Sequence, residues 1–300
     1  MKTVVIALGG NALLQRGAAL SAENQYKSIA TIAATLSQLA QRYRVAIVHG
    51  NGPQIGLLAL QNLAYTDVAP YPLDILGAES QGMIGYMLQQ QLAQHCPDQP
   101  ISALLTRIRV DQNDPAFGDP SKFIGPIYDP SQQQALEQRY GWKMKRDGDA
   151  IRRVVPSPEP QQIQDLAAIK LLLEQRHIVI CCGGGGIPQV KSADGYCGIE
   201  AVIDKDLAAA QLAEELNADH LVILTDADAV YTGWGTPQQR AIRTATPQDV
   251  APMAVNDGSM GPKLMAVSRF VERSGKPASI GALREIDAVL EGKAGTLIHR

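Results

Sequence analysis

The residues best placed to do chemistry are lysines at predicted helix starts. Lys205 stands between Asp204 and Asp206 where a helical stretch begins, and Lys263 follows Gly261-Pro262 at the start of another. A cation at the positive end of a helix dipole is unfavourable by a few tenths of a kcal/mol or more, roughly, so a bound anion there would offset the cost. Asp206 would then orient both ammonium groups as fixed point charges. A plainer alternative stays open at each position: solvated charge for either lysine, an N-cap for Asp204, and a first-turn carboxylate for Asp206. Lys122, in Pro120-Ser121-Lys122-Phe123, is a lone cation in a turn-rich stretch and by itself reads as exposed charge.

Three glycine-rich turns supply the complementary chemistry: Gly9-Gly10-Asn11, Gly50-Asn51-Gly52 and Gly183 to Gly186. Glycine lets backbone amides approach an anion closely, and a helix N-terminus adds partial positive charge. One such loop is explained by a tight turn needing positive φ. Three of them at strand ends face a common crevice in an open α/β sheet. None matches the Gly-x-Gly-x-x-Gly dinucleotide fingerprint or a P-loop, which disfavours a nicotinamide-dependent oxidoreductase and a P-loop enzyme. His49 precedes one loop, yet no Ser, Cys or carboxylate stands at nucleophile spacing, so it reads as a hydrogen-bonding residue at a strand end.

The elements that must position these groups follow one rhythm, an apolar strand, a Gly-rich turn and a helix. Val4 to Leu8, Val45 to Val48, Ile178 to Cys182 and Leu221 to Leu224 are continuous apolar runs. Such runs, alternating with helices, predict a mainly parallel sheet covered on both faces. Helices are expected over about 21–43, after Pro53, from Ser157 with Pro158 in its first position to near His177, from Asp204 to Asn217, and from Pro262 to Gly275. From 111 to 160 the chain is dense in Pro, Gly, Asp and Asn, and 143–151 reads as a hairpin around Asp147-Gly148. That stretch is expected to be an inserted flap. Its basic run, Lys143, Lys145, Arg146, Arg152 and Arg153, is interrupted by Asp147 and Asp149 and reads as a solvated hairpin face, with phosphate reading as the alternative.

Composition bounds the function. The chain has 300 residues, 45% of them hydrophobic and 19% charged, enough for a sizeable core without metal or disulfide staples. With 27 Lys+Arg against 30 Asp+Glu the net charge is -3, so no broad cationic surface exists for nucleic acid. Cys96, Cys181, Cys182 and Cys197 lack metal-ligand spacing and suit a reducing compartment. No run approaches the roughly 18 apolar residues of a membrane span. A soluble, cytoplasmic protein is the expectation.

Taken together, several blocks resemble the carbamate kinases of the amino-acid-kinase superfamily. They include Ala7-Leu8-Gly9-Gly10-Asn11-Ala12, His49-Gly50-Asn51-Gly52-Pro53-Gln54, Arg152 to Pro158, Glu200 to Ala208, Leu224-Thr225-Asp226 and Gly258 to Lys263. The match runs in order from about residue 3 to the C-terminus. It implies an open, eight-stranded, largely parallel sheet between helical layers, with the flap as a small subdomain. One part, 1–200, would bind carbamate and the phosphoryl group, and another, 201–300, the nucleotide. The implied reaction is reversible transfer between ATP and carbamate, giving ADP and carbamoyl phosphate, with Mg²⁺ carried by the nucleotide and no metal held by the protein. Gly9, Gly10, Asn11, Gly50, Asn51 and Gly52 would hold the carbamate and the phosphoryl in flight. Lys205 and Lys263 would neutralise it, Asp206 orient them and Lys122 reach in from the flap. Thr225, Asp226, Tyr231 and Met260 would surround the nucleotide, and a homodimer is expected. The rivals are a non-catalytic carbamoyl-phosphate sensor and another amino-acid kinase with a different acyl acceptor. Arg107, Arg109 and Asn256-Asp257 depart from the pattern; the arginines would alter flap docking or add an anion contact.

Overall fold

The computed structural model describes residues 1–15, 17–254 and 260–300, and of Asn11 the backbone alone. The expected features at Asn256-Asp257 and at Gly258-Ser259 lie outside the described residues.

The apolar runs become sheet strands buried on both faces. β1 (Thr3–Leu8), β2 (Arg44–His49), β3 (Ile101–Ala103), β4 (Ile178–Ile180), β5 (His220–Thr225), β6 (Thr244–Ala245), β7 (Ala278–Ala282) and β8 (Thr296–Ile298) form one eight-stranded sheet in the order β6-β8-β7-β5-β1-β2-β4-β3. Only β7 and β8 run antiparallel within it. Successive side chains of a strand point to opposite faces, and both sets are covered here. Val5 and Ala7 of β1 enter the cluster containing Leu212 and Phe270, whereas Val4, Ile6 and Leu8 enter the one containing Leu36 and Leu88. Fully burying a side chain such as Ile6 or Leu36 stabilises by about 1.5–3 kcal/mol.

The helices that cover the sheet are α1 (Ala22–Arg42), α2 (Gly52–Ala64), α3 (Leu73–Ala93), α4 (Leu166–Glu174), α5 (Lys205–Glu215), α6 (Pro247–Ala254) and α7 (Gly261–Ser274). Local signals set their ends. The Ser21 hydroxyl accepts from the Asn24 amide at the start of α1, Asn217 takes φ +52° after α5, and Gly275 takes φ +71° at the end of α7.

One expected helix begins too early. No helix starts at Ser157: residues 156–161 have no regular secondary structure, Gln162–Ile163 is a strand, and α4 opens only at Leu166. Pro158 and Pro160 favour extended chain before them, and pairing of Ile163 with Ile108 holds the segment in a second sheet. That sheet consists of Gly195–Gly198, Ile187–Ser192, Arg107–Arg109 and Gln162–Ile163.

The flap is a three-stranded antiparallel sheet of Lys122–Tyr128, Ala150–Val155 and Lys143–Asp147, with Ala150–Val155 in the middle and a short helix, Gln133–Tyr140, between its strands. The hairpin turns at Gly148, φ +64°, as the Asp-Gly pair predicts. Three of the five residues of its basic run are engaged: Lys145 binds Asp119, Arg152 binds Asp147, and Arg153 lies over the Trp142 ring beside Glu200. The flap meets the body at Gly56 of α2, where a Cβ would lie 2.0 Å from the Cα of Gly125.

Candidate active site

Because β1, β2, β4 and β5 are parallel, their C-terminal ends open on the same edge of the sheet, and the glycine turns gather there. A cavity of about 290 Å³ occupies that edge. Gly10, Gly50, Asn51, Gly52 and Gly184 line one part of it, and Lys122, Lys205, Asp206 and Lys263 another. Charges from a flap strand and two helix starts therefore meet at one spot.

Asp206 is the hub. Its side chain is 2% exposed, one oxygen accepting from Lys205 Nζ at 2.6 Å and the other from Lys263 Nζ at 3.1 Å. Burial opposes the charge on Lys205, but Asp206 and Asp204 outweigh it and raise the pKa of that ammonium. The stem of Lys205 lies against Gly50, where a Cβ would come within 3.3 Å of its Cδ. Lys205 is the first residue of α5 and Lys263 the third of α7, so both cations oppose their helix dipoles and Asp206 compensates for it.

Lys122 is held differently. Its Nζ donates to Asp204 Oδ2 at 2.6 Å, while Oδ1 of the same carboxylate accepts from the Asp206 and Leu207 amides as the N-cap of α5. Burial would raise the Asp204 pKa; the Lys122 and Lys205 charges reverse this and hold it well below the usual carboxylate range. Asp204 is thus both the helix cap and the anchor of the flap lysine.

The glycine loops are pinned from behind. The Gln81 side-chain amide donates to the Gly183 carbonyl at 2.9 Å and accepts from the Thr106 amide at 2.8 Å. Gly184, φ +64°, packs so closely on Asn51 that a Cβ would sit 2.1 Å from Nδ2, and Asn51 Nδ2 donates to Ser80 Oγ at 2.8 Å. His49 fulfils its strand-end reading: its Nδ1 hydrogen-bonds to the Gly50 carbonyl at 2.9 Å, and burial lowers its pKa to about 4, leaving it neutral near pH 7.

The remaining expected residues are not part of the described lining of this cavity. Gly9 abuts the end of β5, where a Cβ would lie 2.8 Å from the Leu224 carbonyl, and Thr225 and Asp226 follow there. Met260 immediately precedes α7 and packs on the core. Tyr231 stands on the separate hairpin of Val230–Thr232 and Arg240–Ile242, its hydroxyl donating to Asp228 at 2.6 Å. Of the two departing arginines, Arg107 is engaged by Asp165 at 2.7 Å, and Arg109 sits in the second sheet beside Gln162 and Gln189. Sequence reasoning did not single out Gln54, whose only signal was its place after Gly52-Pro53, and could not pair Asp204 with Lys122 across 82 residues. A larger cleft of about 770 Å³ beside the flap, lined by Tyr71, Trp142 and Arg153 among others, includes none of Lys122, Lys205, Asp206 and Lys263.

Known proteins resemble this chain over nearly its full length. The profile of the amino acid kinase family matches residues 2–282. Carbamate kinase from Escherichia coli (strain K12) is 64% identical over 298 residues, covering 99% of each chain. Carbamate kinase from Haemophilus influenzae is 49% identical, covering 99% of this chain and 96% of its own. The solved structure of carbamate kinase from Giardia lamblia bound to AMP-PNP superposes with a TM-score of 0.89 at 36% identity, covering 99% of this chain and 98% of that one. With its full-length likeness and its convergent lysines, this chain belongs to the carbamate kinases of the amino acid kinase family.

Proposed function

We propose that the cavity carries out reversible phosphoryl transfer between ATP and carbamate with the roles that follow. A carbamate carboxylate oxygen forms a bond to the γ-phosphorus while the bond from that phosphorus to the bridging β-phosphate oxygen breaks, giving carbamoyl phosphate and ADP; the reverse makes ATP. Such a step needs alignment of the entering and leaving oxygens and charge on the three equatorial ones, and little covalent help from the protein. Lys205 and Lys263 supply that charge, held by Asp206, and Lys122 adds a third ammonium from the flap. The loops of Gly9, Gly10 and Asn11 and of Gly50, Asn51 and Gly52 hold the carbamate and the moving phosphoryl; the Gly9 amide itself donates to the Leu224 carbonyl at 3.0 Å and fixes the first loop to β5. The observation that carries this reading is the buried Lys205-Asp206-Lys263 network opening on a glycine-lined cavity.

Thr225, Asp226, Tyr231 and Met260 surround the nucleotide in this reading, which draws support from their positions beyond β5 and before α7 and from the AMP-PNP carried by the Giardia relative. The division into 1–200 for carbamate and 201–300 for nucleotide follows the same logic. Both oxygens of Asp206 are already engaged by ammonium groups, so in this reading Mg²⁺ would be carried by the nucleotide phosphates and would supply further charge neutralisation there. A cytoplasmic homodimer completes the proposal. Among the described residues no helix is long and apolar enough to cross a membrane.

The direct test supplies purified protein with carbamoyl phosphate, ADP and Mg²⁺ and follows ATP. ATP formation well above the uncatalysed rate is expected, and Lys205→Ala or Lys263→Ala should lower kcat by at least about 10²-fold. No ATP together with tight carbamoyl phosphate binding would assign the chain as a sensor instead.

A further inference from the structure

Most polar groups that line the cavity are hydrogen-bond donors or carboxylates already paired with lysines. Gln54 differs. It is the third residue of α2, directly after the Asn51-Gly52 turn, it lines the cavity, and it is 1% exposed. Its amide orientation is set by a relay from α1. Gln25, 3% exposed, donates through Nε2 to the Ser21 carbonyl at 3.3 Å, which turns its own Oε1 toward Gln54. Gln54 Nε2 donates to that oxygen at 3.0 Å. The other atom of the amide, Gln54 Oε1, is buried and accepts no hydrogen bond among the described residues. Flipping the Gln54 amide would set two carbonyl oxygens against each other, so the free acceptor is fixed by the network.

A buried acceptor without a donor is costly, and a site that keeps one is matched to a ligand that brings the donor. Resting on the carbamate kinase reading above, we propose that Gln54 Oε1 accepts a hydrogen bond from the amino group of carbamate and of carbamoyl phosphate, and so selects an NH₂-bearing acyl group over a methyl-bearing one. The carboxylate end of carbamate is served by amides and ammonium groups. Its amino end is uncharged and carries two N–H donors, which a neutral amide oxygen satisfies without drawing a lysine away. Acetate and acetyl phosphate have the same shape but present a methyl group there. Binding them leaves the oxygen unpaired, and sites built to bond a substrate N–H reject analogues that lack it far more strongly than a difference in shape alone would. Gln25 acts through Gln54 and is a positioning residue.

The experiment measures ATP formation from carbamoyl phosphate and ADP, with acetyl phosphate as a competing inhibitor, for the parent chain, Gln54→Met and Gln25→Leu. Methionine keeps the length of the side chain and removes the acceptor. Gln54→Met is expected to lower kcat/KM for carbamoyl phosphate about tenfold to a hundredfold while the inhibition constant of acetyl phosphate stays within about twofold. Gln25→Leu, remote from the substrate, is expected to give a smaller loss in the same direction, and it serves if Gln54→Met does not fold. Equal weakening of both acyl phosphates, or no change in either, overturns the inference while leaving the kinase reading intact. An inactive parent chain overturns the kinase reading itself.

Discussion

The two lysines on helix starts and the lysine on the flap face the same cavity but are held in place by different means. Lys205 and Lys263 share one carboxylate that is 2% exposed, within helices packed on the sheet core. Lys122 sits on a small antiparallel sheet and reaches the body through one ion pair, both partners of which keep roughly a fifth of their surface, 24% and 18%. In the mechanism proposed above, the first arrangement would be preorganised before substrate arrives, whereas the second would exchange its carboxylate for a phosphoryl oxygen and so link capture to flap position. Chemistry that must not reorganise would then rest on the sheet edge and recognition on the insertion.

The comparison breaks most sharply at Asp206. Asp206→Asn leaves two buried ammonium groups beside a neutral amide, and removing one partner of a buried ion pair costs about 3–5 kcal/mol. The expected outcome is a kcat loss of about 10³-fold together with a lowered melting temperature, read by steady-state kinetics and thermal denaturation. A variant that keeps its turnover would place the preorganised charge elsewhere.

The flap half is tested next by Lys122→Met, expected to cost about 10- to 100-fold in kcat/KM with much of it in KM, since capture is weakened as well as chemistry. Asp204→Asn isolates the anchor, because asparagine still caps α5 but no longer attracts Lys122. Its effect should be a smaller KM change, about threefold to tenfold, that disappears in the Lys122→Met background. Additive losses in the double variant would show that Asp204 acts independently of Lys122.

Gly56→Ala addresses the docking of the flap. Alanine favours a helix by about 1 kcal/mol over glycine, yet its Cβ would lie 2.0 Å from Gly125 Cα. A KM increase of several-fold with little change in the urea unfolding midpoint is expected, and unaltered KM would mean that the flap tolerates displacement.

The effect with no consequence for turnover at neutral pH is a pH dependence of stability arising in the sheet. Burial lowers the pKa of His49 and of His220 to about 4 from the ordinary value near 6.5. Below 6.5 the unfolded chain binds protons that the native state refuses, so this contribution is complete above about pH 6.5 and is lost as pH falls toward 4. Each residue accounts for roughly 3 kcal/mol over that range. Urea midpoints measured between pH 7 and 4 should fall, and His49→Gln should flatten the slope by about half. An unchanged slope would show that His49 titrates normally. Asp204, held low, keeps its pairing through this range.

How much was legible follows from where the information resides. The strands, the two loops after β1 and β2, the N-cap at Asp204 and the stop at Gly275 were readable because each depends on residues a few positions apart. The helix begun at Ser157 was misread because a good local cap was overridden by pairing of Gln162–Ile163 with Arg107–Arg109, a tertiary contact without a local signature. For the same reason the sequence could not pair Arg107, read there as altering flap docking or adding an anion contact, with Asp165, which lies 58 residues away.

The sequence by itself determined that a parallel α/β sheet would carry glycine turns at its strand ends and lysines at two helix starts, since periodicity, turn chemistry and capping act within a few residues of chain. Tertiary structure alone decided that Asp206 joins Lys205 to Lys263, that Asp204 anchors Lys122, and that Gln25 turns the Gln54 amide so that its oxygen meets no donor among the described residues. Those pairings depend on angstrom-scale distances between segments far apart in the chain, and such distances are set by how the layers pack.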